Sequence, residues 1–443
     1  MHDKLAPSYL ELSKSAFQKN ISFFEDLIGP DTIFCSVIKG NAYGHGIDFF
    51  VPMAEACGIR YFAVFSADEA EKAYQAANKG SHIMIMGMID NESISWAIKR
   101  DISFFVFERN RLKAAVEAAK ELGQPARIHL HLETGMNRLG LEEHKLNEVA
   151  SFLNRESEHV IIEGLCTHYA GAESVSNHVR VSEQIQRFEE LYELLEEMGI
   201  KGKLKHTAGS AAVLNYPETR MDMVRVGISQ YGFWPNRETY MNYLKRNHTD
   251  QEKPFEDPLE RVLSWKSKVM SIKHVEAGEF VGYGNVYLTS RDQTIASVPI
   301  GYSHGFGRNL TNVGIVLING ERAPVAGLVN MNLLTIDVTD IPNVKKGDEV
   351  VIIGHQQEQE MTVASFSEMT NNMNYEVLVR LPANLPRSVV EIAKSAFKVF
   401  SPEQVLTARA LFVYTVLDSS NFCAAAGNAR TGKIQIETGF DRT

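Results

Sequence analysis

The chain has 443 residues, 44% hydrophobic and 23% charged, the composition of a globular protein with room for two or three cored domains. Asp and Glu number 55 against 45 Lys and Arg, a formal charge of −10, and no basic run interrupts that balance, which argues against a nucleic-acid footprint. No apolar window approaches the length of a membrane span, the first residues lack a leader's apolar core, and Cys35, Cys57, Cys166 and Cys423 are scattered without metal-ligand spacing, so a cytoplasmic protein without a metal centre is expected.

From about residue 30 to 235, short apolar runs alternate with amphipathic stretches. Runs at 33–38, 61–65, 83–86, 103–107, 128–132, 160–166, 203–206 and 223–228 read as strands, and 67–78, 110–122, 146–153 and 182–198 as helices. The alternation predicts an α/β fold with a parallel sheet, and eight strand candidates predict a closed (β/α)8 TIM-type barrel. An open doubly wound sheet is the alternative, without a glycine-rich dinucleotide turn to support it. Residues 236–258 are polar and read as a linker or surface insertion. Beyond 260 the pattern becomes β-rich, at 263–275, 294–299, 313–318, 323–329, 334–338 and 349–353, with few helices before 363–370. This predicts a mostly antiparallel β domain. The expected boundaries are 8–240 for the barrel, 259–393 for the β domain and 394–443 for a partly helical or disordered extension.

Lys39 closes the run 33–38, and Asn41, Gly44 and Gly46 then break the strand. A lysine there either points to solvent or serves as a Schiff-base amine whose partial burial lowers its pKa. Arg138, His168 and Ser210 also follow predicted strand ends, the face where barrel enzymes collect catalytic groups. Ser210 reads equally as a helix N-cap and as a phosphate anchor. Arg225 lies inside an apolar run, an unusual place for a surface salt bridge. Arg138 could pair with Glu142 or Glu143, or present its fork to a carboxylate.

The string V-I-K-G-N-A-Y-G-H-G at 37–46 closely resembles the pyridoxal phosphate (PLP) lysine motif of the alanine racemases. In chain order, H-L-E-T-G-M-N-R-L (131–139), H-Y-A-G-A-E (168–173), H-T-A-G-S-A-A (206–212), V-R-V-G-I-S-Q-Y-G (224–232), V-G-Y-G (281–284), P-I-G-Y-S-H-G (299–305), N-M-N-L (330–333) and N-Y-E (374–376) match the same family. The resemblance spans about 8–393 and implies a barrel followed by a β domain. It implies PLP on Lys39, with Lys39 and Tyr283 as acid–base groups on opposite faces of an amino-acid substrate. Tyr43, His168, Ser210, Arg225, Gly227, Ile228 and Tyr375 would hold the cofactor, and Arg138, Met331 and Tyr302 would meet the substrate. The tyrosine would come from a partner subunit, so the family implies a homodimer that makes D-alanine for the cell wall.

The sequence departs from the family around the carboxylate pocket. His131 stands where a carbamate-bearing lysine is common, Glu133 and Asn332 replace aspartates, His304 replaces another, and Gly209 replaces an asparagine. These changes bear on substrate range more than on reaction type. A racemase of serine or of a broader range, a related barrel decarboxylase, and a non-catalytic PLP-binding protein are the alternatives. The V-G-Y-G and N-Y-E strings favour a racemase over the decarboxylase, and the β domain tells against the last.

Overall fold

The computed structural model describes residues 6–247, 256–370 and 373–391. The strand β1 (Ser8–Ser13) comes first and is followed by the helix Lys14–Ile28, which Ser13 caps by accepting from the Ala16 amide (3.2 Å). The next eight strands are β2 (Ile33–Val37), β3 (Tyr61–Ser66), β4 (His82–Met88), β5 (Ser103–Val106), β6 (Ala126–His131), β7 (Val160–Cys166), β8 (Leu204–His206) and β9 (Met223–Val226). They pair in parallel in the order β8-β7-β6-β5-β4-β3-β2-β9. Two hydrogen bonds bring the ends of that order together, Asp222 N–H to the Lys205 carbonyl (3.2 Å) and Arg225 N–H to the Ala208 carbonyl (2.9 Å). The result is the nearly closed barrel that the alternation predicts, and the open sheet is excluded.

The barrel forms because its strands are short, apolar and rich in β-branched and aromatic residues, while its helices carry one apolar face. Phe62, Val64, Ile85, Phe104, Ile128 and Leu130 are fully buried in the strands. Between β5 and β6, the helix Arg109–Leu122 packs Leu112, Ala115 and Val116 inward and ends at Gly123, whose φ of +62° suits glycine. Truncating a buried leucine such as Leu130 to alanine costs about 2–5 kcal/mol.

The second half is built from β10 (Leu263–Lys268), β11 (Ser271–Val275), β12 (Gln293–Val298), β13 (Ile315–Ile318), β14 (Glu321–Pro324), β15 (Leu334–Asp337), β16 (Glu349–Gln356), β17 (Gln359–Met361) and β18 (Arg387–Val390). One sheet runs β14-β13-β16-β10-β1-β18, with β17 paired to β16, and a three-stranded sheet runs β11-β12-β15. Every pairing in them is antiparallel except β1 with β18.

Two expectations change. Ser8–Ser13 does not belong with the barrel: Leu10 sits opposite Trp265 on β10 and opposite Arg387 on β18, so the chain begins in the second domain's sheet. The stretch expected as a linker or surface insertion contains a helix, Arg237–Asn247, which rules out a plain linker there. Its Tyr240 and Tyr243 rings pack on Trp234, and Tyr243 also meets Phe23 on the first helix. The extension at 394–443 lies outside the described residues. Among the described residues, no helix is long and apolar enough to cross a membrane, and no cluster of His, Cys, Asp or Glu could hold a metal ion.

Candidate active site

The C-terminal ends of the barrel strands open into a cavity of about 550 Å³. Lys39, Tyr43, Arg138, His168, Ser210, Arg225, Gly227, Ile228 and Tyr375 all line it. Phe65, Met86, Phe105, His131 and Tyr169 complete much of its wall.

Lys39 follows β2 and begins a five-residue turn, Lys39–Tyr43. That turn is left-handed: Gly40, Asn41, Ala42 and Tyr43 have φ of +64°, +55°, +54° and +50°. Each non-glycine residue pays roughly 1–2 kcal/mol for this backbone. Within the turn, Ala42 N–H reaches the Ile38 carbonyl (2.8 Å) and Gly44 N–H the Gly40 carbonyl (3.0 Å). Asn41 Oδ1 accepts from the Ile47 amide (3.1 Å), which ties the turn to the next helix. The turn aims Tyr43 inward, where its hydroxyl lies so near Gly227 that a Cβ there would sit 2.5 Å away. Only glycine admits that approach. The Tyr43 ring also packs near Tyr375, with centroids 6.1 Å apart. Burial raises the pKa of both phenols, Tyr375 to about 12, so both stay protonated donors.

Lys39 opens into the cavity, where burial, then Arg138, lower its pKa; Arg225 adds to this and Glu69 opposes it. His168 is pushed down to about 3, first by burial and then by Arg225, Arg138 and Lys39, so its imidazole is neutral.

Arg225 on β9 is buried, and its hydrogen bonds are fully specified. Nη1 donates to His206 Nδ1 and to the His206 carbonyl, and Nη2 donates to the carbonyls of Thr167 (2.6 Å) and Thr207 (3.2 Å). Those four bonds use the four terminal N–H groups and leave Nε–H for a group in the cavity. Because an arginine can only donate, His206 Nδ1 must accept and its Nε2 must carry the proton. His206 Nε2 then donates to His129 Nδ1 (2.9 Å), and His129 Nε2 donates to Ser103 Oγ (3.2 Å). The chain runs in one direction through the barrel core. Burial, the largest cause, holds both histidines neutral, with His129 near 3.

Ser210 is the first residue of the short helix Ser210–Asn215, and the cap position belongs to Gly209, so the N-cap reading of Ser210 fails. Its hydroxyl accepts from the Gly227 amide (2.9 Å). Ser210, Tyr43 and the 227–228 backbone thus converge on one spot, a donor set suited to a phosphate.

Arg138 faces the cavity rather than a helix-surface acid: Glu142 is paired with Lys145, and Glu143 with Arg187. Glu133 does not orient Arg138 directly, because its carboxylate accepts from the amides of Gly135 (2.6 Å) and Asn137 (3.0 Å) and shapes the loop that carries the arginine. His131 stacks on Phe105, with centroids 5.5 Å apart. Its buried Nδ1 has no hydrogen-bond partner, which leaves a vacant polar position in the cavity wall near Arg138.

Tyr283, Tyr302 and Met331 do not line the cavity. They stand on the β domain at 72%, 43% and 56% exposure. Tyr302 N–H bonds the Asn330 carbonyl (3.0 Å) and Ser303 N–H the Met331 carbonyl (3.0 Å), so two of the three sit on one pair of joined loops. The departures His304 and Asn332 brace those loops: His304 Nδ1 accepts from the Gly301 amide (3.2 Å), and Asn332 donates to Ser303 Oγ (2.9 Å). Sequence reasoning gave no role to His129 or His206, although His206 opens a quoted motif. It also passed over Glu69, Phe105 and Arg387, which carry no motif of their own.

Comparison with known proteins agrees with this geometry. The alanine racemase N-terminal domain profile matches residues 12–235 and the C-terminal domain profile residues 262–389. Alanine racemase of Leptospira interrogans is 34% identical over 388 residues, 87% of this chain and 96% of that protein. That of Desulfovibrio desulfuricans is 33% identical over 387 residues, 87% and 98%. Among solved structures, alanine racemase of Clostridium difficile 630 superposes with a TM-score of 0.78 at 31% identity, covering 88% of this chain and 97% of its own. The enzyme from Bacillus anthracis with bound L-Ala-P gives 0.75 at 29%, covering 88% and 97%. The chain is therefore an amino-acid racemase belonging to the alanine racemase family, a family whose cofactor is pyridoxal phosphate.

Proposed function

We propose that this protein interconverts L- and D-alanine with PLP held at Lys39, and that Lys39 and Tyr283 move the protons. The observation that carries the reading is the convergence of Lys39, Tyr43, Arg138, His168, Ser210, Arg225, Gly227, Ile228 and Tyr375 on a single cavity. The residues fit the cofactor: a glycine gap at 227 admits the Tyr43 hydroxyl, Ser210 and the Gly227 amide meet at one end, and Arg225 lies in the wall.

PLP, when bound, draws electrons from the Cα of an attached amino acid and makes its proton removable. Lys39 meets that proton as an amine whose lowered pKa favours the neutral, basic form. Arg225 offers a hydrogen bond but keeps its proton, because a guanidinium is too weak an acid to give it up. Were PLP bound with its ring nitrogen facing Arg225, the guanidinium would donate to that nitrogen without protonating it, which would limit electron withdrawal and discourage transamination. Arg138 holds the substrate carboxylate with its planar fork. Tyr283 serves the opposite face from the partner subunit of a homodimer, joined by Tyr302 and Met331, which fits their exposure on the β domain. In a bacterial cytoplasm the product would feed peptidoglycan.

His131 supports a second reading, racemisation of serine or of a broader range. It removes the lysine common in the family and leaves an unpartnered nitrogen in the cavity wall. Assaying the purified protein with PLP against a panel of L-amino acids separates the two. Alanine should turn over fastest; faster conversion of serine would favour the second reading, and no conversion of either would sink both.

A further inference from the structure

The left-handed turn at 40–43 has hydrogen bonds of its own, and two charged side chains from opposite sides also grip it. On the barrel side is Glu69. Its Oε1 accepts from the amides of Gly40 (2.6 Å) and Asn41 (3.1 Å), and its other oxygen accepts from Phe65 N–H (2.9 Å). On the other side is Arg387, the first residue of β18, which is 1% exposed. Its Nε and Nη2 donate to the Gly44 carbonyl at 3.3 and 2.8 Å. Its remaining bonds go to the carbonyls of Pro382 (3.2 Å), Ala383 (3.0 Å) and Leu385 (2.7 Å).

Arg387 is thus a buried cation bonded entirely to backbone carbonyls, and Asp48 acts on it only through space. Burying a charge in this way is costly, and an apolar residue would fill a strand position more cheaply. What the arginine supplies is a joint. One planar fork ties the segment 382–385 to Gly44, at the end of the lysine turn. The surfaces on either side are closely fitted: a Cβ on Gly44 would lie 1.9 Å from the Leu378 carbonyl oxygen, and one on Gly46 2.6 Å from Arg387 Cδ. A Cβ on Gly40 would lie 3.2 Å from Val379 Cγ1. Glycines of the lysine turn are therefore the places where the C-terminal segment lies against it.

The geometry points to Arg387 as a positioning residue for Lys39. It locks the left-handed turn against the β domain of its own chain and so sets how the lysine amine is offered to the cofactor. This rests on the reading of Lys39 as the PLP lysine. It makes docking of the β domain on its own barrel a condition of cofactor capture, apart from anything a partner subunit contributes.

Full-length Arg387→Met and Arg387→Lys proteins test this by amide hydrogen exchange and PLP titration, with borohydride labelling of the wild type alongside. In the Met protein, amides of residues 40–46 should exchange at least tenfold faster while barrel-core amides such as Val37 keep their protection, and PLP should bind at least tenfold more weakly. The Lys protein, with fewer donors and no fork, should fall between. Unchanged exchange at 40–46, acceleration spread evenly over the β domain, or PLP binding within twofold of wild type in a folded Met protein overturns the inference. If the Met protein does not fold, the Lys protein decides: acceleration confined to 40–46 supports the clamp, and wild-type exchange there overturns it. A borohydride label on a lysine other than Lys39 overturns the cofactor reading, and with it the purpose given to the clamp, whatever the turn's exchange rates.

Discussion

The barrel mouth and the exposed face of the β domain hold the proposed site residues in opposite physical states. At the mouth, Arg225 is buried and bonded in a fixed direction to His206 and His129 in the core beneath it, and Tyr43 is packed into the gap at Gly227. On the β domain, Tyr283, Tyr302 and Met331 reach into solvent from loops whose own backbone is firmly bonded. Rigid loops that expose large apolar side chains, among them Phe280 and Leu288 at 49% and 55%, have the character of a surface built to meet another. The contrast teaches that one chain gathers nine of the proposed site residues around a single cavity and leaves the other three, Tyr283, Tyr302 and Met331, exposed outside it.

The largest effect should come from the mouth. If Lys39 holds the cofactor and serves as one of two bases, Lys39→Ala should lose at least about 10³-fold in kcat. It should also lose the PLP that borohydride fixes to the wild-type chain. A Lys39→Ala protein that still retains borohydride-fixable PLP would place the attachment elsewhere.

Mixing the two halves sharpens the comparison. Lys39→Ala and Tyr283→Ala should each be nearly inactive alone. If the tyrosine acts across a two-fold interface, subunit exchange between equal amounts should restore about one quarter of wild-type activity, since half the dimers are hybrids with one intact site. No recovery despite demonstrated exchange would show that both residues act within one chain.

How far these halves could be read from sequence follows the range of the forces involved. The barrel strands were legible because apolar runs alternating with amphipathic helices are a local signal; Lys39, Arg138, His168 and Ser210 stood out because they follow predicted strand ends, and the other predicted cavity residues mainly because they sit in strings that resemble one family's motifs. Ser8–Ser13 was not legible as a strand of the second sheet, because its partners Trp265 and Arg387 are distant in sequence. The helix Arg237–Asn247 was hidden by its polarity, since its anchors are aromatic contacts to Trp234 and hydrogen bonds such as that from the Val175 amide to Glu238 (2.6 Å), all made to residues outside it. Nothing in Ala42 or Tyr43 announces a left-handed backbone, which Glu69 and Arg387 impose from outside. The exposure of Tyr283 could not be read at all, because exposure depends on the whole fold and not on the residues beside it in sequence.

A smaller effect belongs to the rim where substrate would enter. Arg138→Leu should lower kcat/KM roughly tenfold or more, the worth of about 1.5–3 kcal/mol for a hydrogen bond to a charged group. Arg138→Lys should also be impaired, since an ammonium cannot reproduce the fork. His131→Ala should behave as a weakened Arg138 variant, and added chloride should restore part of the loss if an anion normally bridges the two. Near-wild-type kinetics in both Arg138 variants would move the carboxylate contact elsewhere, with Arg308 the next candidate.

The smallest effect is a difference in acid tolerance between the two regions. His45, His129, His131 and His168 have folded-state pKa values near 3, with burial the largest cause, and His206 is also well below its usual value. All five belong to the barrel, whereas among the described residues the β domain's His274, His304 and His355 are exposed or half-buried. Each of these five histidines is neutral in the fold but binds a proton near pH 6.5 once the chain unfolds. Lowering the pH therefore favours the unfolded state: the stability is fully present above about 6.5 and is lost as the pH falls from there toward 3. Each such histidine can steepen that loss by up to about 1.4 kcal/mol per pH unit. Between pH 7 and 5, amide exchange corrected for its intrinsic rate should thus rise in β2 to β9 before it rises in β10 to β16. His129→Gln removes one of those protons and should make the urea midpoint less sensitive to pH by that single increment, even if it lowers the midpoint at pH 7. An unchanged pH slope in that variant would mean that His129 is protonated alike in both states, and the one-way chain from Arg225 through His206 would have to be redrawn with a charged histidine in it.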